Sequence, residues 1–202
     1  QYAQISAGTF NDLYIGDYWK ISNRIYRIAG FDYWGLYNSA GNMKNAHHVV
    51  IVPDQGLGYM QMNKTSTTAG AYVGSDFYTG NNSNTSRADA ISIVKSAFGE
   101  SHLFVYAEWL QNSVTTSAPF YENNQLYVQD CTIELMNEQM VFGCNVFHNY
   151  QANATTKPSN FTVSKSQLPL FKLEPSRIAE YGDYYLRNVA SSTDFCVVDC
   201  RG

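Results

Sequence analysis

Short alternations of apolar and polar residues, interrupted every few positions by Gly, Asn or Asp, run through most of the chain. Between residues 10 and 37 the apolar positions Tyr14, Tyr18, Ile21, Ile25, Ile28 and Phe31 alternate with polar ones, and Gly16-Asp17 and Ser22-Asn23 break the run. That spacing predicts a β-hairpin or meander of short strands. The segment "HHVVIVP" (47–53) predicts another strand. Its apolar run from Val49 to Val52 is continuous, which predicts burial on both faces, and Pro53 cannot continue an internal ladder. Asp54, Gly56 and Gly58 then supply the turn that leaves the strand.

One segment keeps a helical period. In "SRADAISIVKSAFG" Ser86 can cap, Asp89 occupies the third helical position, and Ile91, Val94 and Phe98 form one stripe ending at Gly99. This predicts a helix over Ser86 to Phe98 with that stripe buried. "HLFVYAEWL" reads as a core strand merging into a short helix near Glu108, and residues 111–130 read as polar turns. "CTIELMNEQMVFG" reads as a strand up to Leu135 followed by a helical turn ending at Gly143. The prolines of "SKSQLPLFKLEPSRIAE" limit it to short helical pieces, and "YYLRNVA" and "DFCVVDC" close the chain as strands. With no repeat and no long linker, the 202 residues form one compact α+β domain of short, mainly antiparallel strands with a few helices.

Composition changes this picture in one respect. Charged residues are 15% of the chain against the roughly 25% usual in soluble domains, and Tyr at 16 copies and Asn at 18 fill the gap. Tyrosine offers a rigid ring with a polar tip and asparagine an adaptable donor and acceptor, a pairing suited both to interface loops and to twisted β-structure with Asn-rich turns. A net charge of −4 without a dense Lys/Arg run argues against nucleic acid as a partner. No stretch approaches the roughly 20 apolar residues of a membrane-inserted span, and no signal peptide is recognisable at Gln1.

Candidate chemistry is sparse. The sequence contains no Gly-x-Ser-x-Gly elbow, phosphate loop, dinucleotide fingerprint or His-Glu-x-x-His. His47 and His48 project to opposite faces of a strand, so they cannot hold one ion together without a distant third ligand, and neither metal nor cofactor is expected. Glu134 with Glu138 could share a helix face, and Asp12 with Asp17 flank a turn, but acids so spaced are usually solvated or capping residues. Cys131, Cys144, Cys196 and Cys200 fit no zinc spacing and read as free, mostly buried thiols. In an oxidising setting a Cys131 to Cys144 bridge is the first pairing to test. The residue types of contact hot spots cluster at Tyr181, Tyr184, Arg187 and Asn188 and in the polar loop at Asn81, Asn82 and Asn84, which are therefore the candidate ligand-binding residues.

The segments "FNDLYIGDYW", "YRIAGFDYW", "HHVVIVPD", "MNKTSTTAGAYVGSDFY", "SAFGESHLF", "IELMNEQMVFG", "SQLPLF" and "YYLRNVASSTDF" resemble, in sequence and in order, structural proteins of phages and prophages of Gram-positive bacteria. Those are tail-fibre or other virion surface proteins whose domain is similar to the C-type-lectin-like fold. The resemblance spans nearly the whole chain from Phe10. It implies that residues 1–9 end an upstream stalk or linker and that 10–202 form a binding domain, with the closing Gly-Val-Arg-Pro segment of the relatives missing after Gly202. It further implies a virion location, other virion proteins as partners and a homotrimeric fibre tip.

These readings converge on a non-enzymatic module for host attachment, binding a host-cell-surface glycan or protein receptor through an aromatic and amide-rich face. Two alternatives stand beside it: a surface-polysaccharide depolymerase using paired acids, and a purely architectural assembly protein.

Overall fold

The computed structural model describes residues 1–34, 46–65, 72–81, 84–111, 114–115, 118–122, 126–144, 166–180, 182–189 and 195–199. Within them the side chains of 109, 111–129 and 189 lie outside the description, as do the candidate residues Tyr181 and Asn82, and Cys200. The described chain is a mixed α+β structure of short helices and small antiparallel sheets.

A short helix α1 (Tyr2–Ser6) precedes a three-stranded antiparallel sheet of β1 (Tyr18–Ile21), β2 (Arg24–Phe31) and β3 (Val49–Pro53), in the order β1-β2-β3. Ser22 and Asn23, both at positive φ (48° and 64°), make the two-residue turn between β1 and β2, a conformation that matches the right-handed twist of the flanking strands. Burial on β2 falls on Tyr26, Ile28 and Ala29 while Ile25 is half-buried. The simple alternation read from the sequence thus slips, and a register irregularity between Ile28 and Gly30 accounts for it. β3 also departs from expectation: Val50 and Val52 are buried, but Val49 and Ile51 are only half-buried. It is an edge strand, where Pro53 removes no ladder hydrogen bond.

Two helices follow, α2 (Asp76–Thr79) and α3 (Arg87–Phe98). The start of α3 is built as the sequence predicts. Ser86 accepts from the Asp89 N–H while the Asp89 carboxylate accepts from the Ser86 N–H at 2.8 Å, so two otherwise orphaned donors are satisfied. Gly99, at φ 84°, ends it. The predicted stripe is less buried than expected, since Val94 is buried but Ile91 and Phe98 are half-buried. The helix meets the three-stranded sheet by its C-terminal end, through Phe98 edge-on to Tyr26 at 5.0 Å and to Trp19 at 6.0 Å.

Beyond α3, β4 (Tyr106–Gln111) pairs with β7 (Leu126–Cys131), and β5 (Val114–Thr115) with β6 (Ala118–Glu122). Two expectations are corrected here. Glu108 lies in a strand rather than a helix, and part of 111–130 is β-structure, because the Thr, Phe, Tyr and Val of that stretch favour strands more than its polar content suggests. After Cys131 the chain runs irregularly to Asn137, which caps α4 (Glu138–Phe142) by accepting from the Met140 N–H at 2.8 Å. The predicted short helical pieces are α5 (Pro169–Leu173) and α6 (Arg177–Glu180), and the predicted last strands, β8 (Tyr184–Val189) and β9 (Phe195–Val198), pair antiparallel.

Two apolar clusters form the core. One gathers Ala29, Val50 and Val52 with Val141, Leu168, Leu170, Phe171, Leu186 and Val198; the other gathers Met62, Tyr72, Phe77, Tyr106, Leu110 and Cys131. Strand β8 serves both, Leu186 entering the first and Tyr185 packing on the second. Cys131 and Cys196 are buried free thiols and Cys144 an exposed one, and burial pushes the Cys131 and Cys196 thiols well up from their ordinary range.

Candidate functional site: an aromatic-walled cavity

Between the β1-β2-β3 sheet and α3 lies a cavity of about 1310 Å³. It exists because α3 meets the sheet at one end, through Phe98, and the helix stripe beyond that contact faces open space. Its walls are mainly apolar. Deep inside, Phe104, His48, Trp34 and Tyr106 form a continuous ring stack: His48 lies parallel to Phe104 at 4.1 Å and Trp34 on Tyr106 at 3.8 Å. At the mouth Tyr59 is 94% and Tyr2 51% exposed, and the Tyr2 ring packs on His102 at 4.2 Å.

Two buried acid–arginine pairs sit at this depth. The first joins Arg187 to Glu108 at 3.1 Å, both side chains at most 2% exposed, and the Trp34 indole N–H donates to the same carboxylate oxygen at 3.1 Å. The second joins Arg87 to Glu134. Two guanidinium N–H groups donate to one carboxylate oxygen, the first at 2.9 Å, and the Tyr72 hydroxyl donates to the other at 2.5 Å. Burial and the adjacent Glu134 charge hold the Tyr72 hydroxyl far above its ordinary range, so it remains a donor. Arg87 also lies over the Tyr78 ring at 4.7 Å, a stabilising placement for a planar cation.

His48 and His47 have separate fates, as strand geometry predicts. His48 is 2% exposed and held by two bonds: its backbone N–H donates to Asp32 at 2.9 Å, and its Nε2 accepts from the Trp34 N–H at 3.2 Å. Burial drives its pKa below the ordinary value, against the Ala46 carbonyl and Asp32, so the ring is neutral near pH 7. His47 is half exposed, with Nδ1 2.8 Å from the other Asp32 oxygen. Among the described residues no group of three His, Cys, Asp or Glu side chains could hold a metal ion, and no helix is long and apolar enough to cross a membrane.

The ligand face expected at the C-terminal strands is not assembled there. Arg187 and Asn188 are 1% and 0% exposed. Arg187 pairs with Glu108, and its Nη1 and backbone N–H donate to the carbonyls of Leu135 and Met136 at 3.2 and 2.9 Å. The Asn188 side-chain carbonyl accepts from the Glu138 N–H at 2.8 Å. These residues tie β8 to the irregular segment before α4, because a strand covered on both faces must satisfy its polar side chains internally. Tyr184 is half-buried and donates to the Ile178 carbonyl at 3.1 Å. Asn81 is exposed and bonded to Asp76 and Lys64 at 3.1 and 3.0 Å, and Asn84 is exposed; neither lines the cavity.

The paired acids are engaged apart from each other. Glu134 faces the cavity bound to Arg87 and Tyr72, whereas Glu138 is buried in the core, where the Cys196 thiol lies 3.5 Å from it. Asp17 accepts from the Tyr14 N–H at 3.0 Å, closing a local turn. Trp34, Phe104, Tyr106, Tyr59 and Arg87 were not singled out by sequence reasoning, and their dispersal over seventy positions explains why; the apolar run flanking His48 was the one local hint. Compared with protein-family models, curated proteins and solved structures, the chain matches none.

Proposed function

We propose that the chain is a non-enzymatic recognition module of C-type-lectin-like fold, carried on a phage virion at the tip of a tail fibre or similar appendage, that binds a glycan of the host-cell surface. The observation that carries the reading is the cavity between sheet and α3, with exposed Tyr59 and Tyr2 at its mouth. Rigid aromatic rings beside an open space stack on sugar faces and lose little entropy when immobilised. At about 1310 Å³ the space exceeds the 300–1,000 Å³ range of small-molecule pockets, which favours a polymer segment as occupant. The virion setting, contacts with other virion proteins and a trimeric fibre tip enter through the resemblance of the segments from "FNDLYIGDYW" to "YYLRNVASSTDF".

Hydrolysis is the less supported alternative, because Glu134 is committed to Arg87 and Tyr72 while Glu138 lies in the core. Retention of the protein on host cell walls, followed by an assay for released sugar, tests the proposal. Retention without release is expected, and Tyr59→Ala is expected to weaken retention at unchanged melting temperature. Release of sugar would establish the depolymerase, and neither retention nor release would leave an architectural role.

A further inference from the structure

The cavity has a polar wall that side chains alone do not reveal. β3 is the edge strand of its sheet and pairs with β2, with which the Asp54 N–H bonds to the Ile25 carbonyl (2.9 Å) and the Asp32 N–H to the His48 carbonyl (3.0 Å). Ile28, opposite Ile51, spends its N–H and C=O on Asp17 and Gly16 at 2.7 and 2.9 Å, on the β1 side. Hydrogen-bonded and non-bonded pairs alternate along an antiparallel ladder. The N–H and C=O of Val49 and Ile51, and the C=O of Pro53, therefore point away from β2. Every residue from Ala46 to Pro53 borders the cavity, whereas a strand offering one face would border it with alternate residues. The free edge itself is the wall, and among the described residues no backbone group outside the sheet reaches Val49 or Ile51.

We infer that the glycan lies along this edge and that the sugar seated there carries an N-acyl amino group. The inference rests on the reading of the cavity as a glycan site. An edge strand presents amide donors and acceptors in a fixed array, about 7 Å from one outward residue to the next, and backbone groups left unmet beside apolar walls are costly. The sugar substituent that answers both groups of a peptide unit is another amide, whose N–H and C=O bond as a neighbouring strand would. The acyl methyl then meets the opposite wall, where Ala90, Val94 and Ala97 of α3 are apolar. Charge agrees: Arg87 is paired with Glu134 and Arg187 with Glu108, so the walls suit an uncharged ligand.

The test titrates the whole chain, by calorimetry, with three trisaccharides: chitotriose, its de-N-acetylated counterpart, and cellotriose, alongside the cell-wall retention assay. Chitotriose is expected to bind at least about tenfold more tightly than the other two, the effect of one buried hydrogen bond made or lost. Ile51→Pro deletes an outward N–H that the ladder does not use, just as Pro53 does two residues on, and is expected to lose chitotriose binding about tenfold while Ile51→Val keeps it. Should Ile51→Pro fail to fold, the comparison of trisaccharides on the native chain decides alone. Cell-wall retention with equal binding of cellotriose, or unweakened binding by folded Ile51→Pro, overturns the N-acyl inference and leaves the glycan reading standing. Absence of both retention and trisaccharide binding sinks the glycan reading itself. Binding of an extended hexathreonine peptide, lost in Ile51→Pro and with no trisaccharide bound, overturns the inference in favour of strand addition.

Discussion

Replacing Arg187 with Met separates a residue buried for structure from one held out for a ligand. In the native chain the guanidinium pairs with Glu108 at 3.1 Å, with both groups at most 2% exposed, and donates to the Leu135 carbonyl at 3.2 Å. Arg187→Met keeps much of the apolar stem but strands the Glu108 carboxylate beside the Trp34 indole and leaves the Leu135 carbonyl without this donor. Breaking one side of a buried pair costs about 3–5 kcal/mol, a third or more of the roughly 5–15 kcal/mol that holds a domain folded. Arg187→Met/Glu108→Leu removes the stranded charge as well, and the residual cost, the Trp34 N–H left without this acceptor, is about 1–3 kcal/mol. Urea unfolding followed by tryptophan fluorescence, with the slope checked for constancy, measures both. The double variant should be the more stable of the two. A loss below about 1 kcal/mol in Arg187→Met, the value typical of an exposed pair, would refute the buried pair and return Arg187 to the surface.

Three further outcomes follow from the geometry. His48 has a folded pKa below its ordinary 6.5 because it is buried, so the unfolded chain takes up the proton first: stability is full above about pH 6.5 and falls as pH drops toward the folded value, with Asp32 and His47 facing the ring from the same turn. Melting temperatures from pH 7.5 to 5 should show this fall in the native chain and a flatter one in His48→Phe; parallel curves would contradict it. Ser86→Ala removes the reciprocal cap of α3 and should cost about 1 kcal/mol in urea unfolding, whereas a cost near zero would mean the helix start is held by other contacts. Val94→Asp should destabilise more than Ile91→Asp, because Val94 is buried and Ile91 half-buried; the reverse order of melting temperatures would place the buried face of α3 elsewhere.

Features set by neighbours in the chain were legible from sequence. The cap of α3 needs Ser86 and Asp89 three residues apart, its end needs Gly99, and the β1–β2 turn needs residues such as Ser22-Asn23 that reach positive φ; each is decided within a few positions. The strand character of β8 and β9 and the breaks around Pro169 and Pro175 are local in the same sense. What failed was the assignment of faces. β3 reads as doubly buried because Val49 to Val52 are all apolar, yet hydrophobicity cannot distinguish a second packed layer from the wall of a cavity. The stripe on α3 fails for the same reason from the other side of that cavity.

The site was hidden by a different mechanism, visible in "YYLRN". Read alone, Arg187 and Asn188 are polar residues on a terminal strand, and such residues are mostly exposed. Their burial depends on three distant partners: Glu108 on β4, the carbonyls of Leu135 and Met136, and the first N–H of α4 at Glu138. None is near in sequence, so no window can reveal that β8 is covered on both faces. Once it is covered, the polar chemistry of this strand is spent on holding the 134–138 segment, and that segment in turn presents Glu134 to Arg87 and Tyr72 at the cavity. The residues first marked for recognition thus lie one step behind it. They fix the wall that a ligand would meet, and the surface left free to meet it is the one that sequence patterns describe least well: an unpaired backbone edge and the rings of Tyr59 and Tyr2 at its opening.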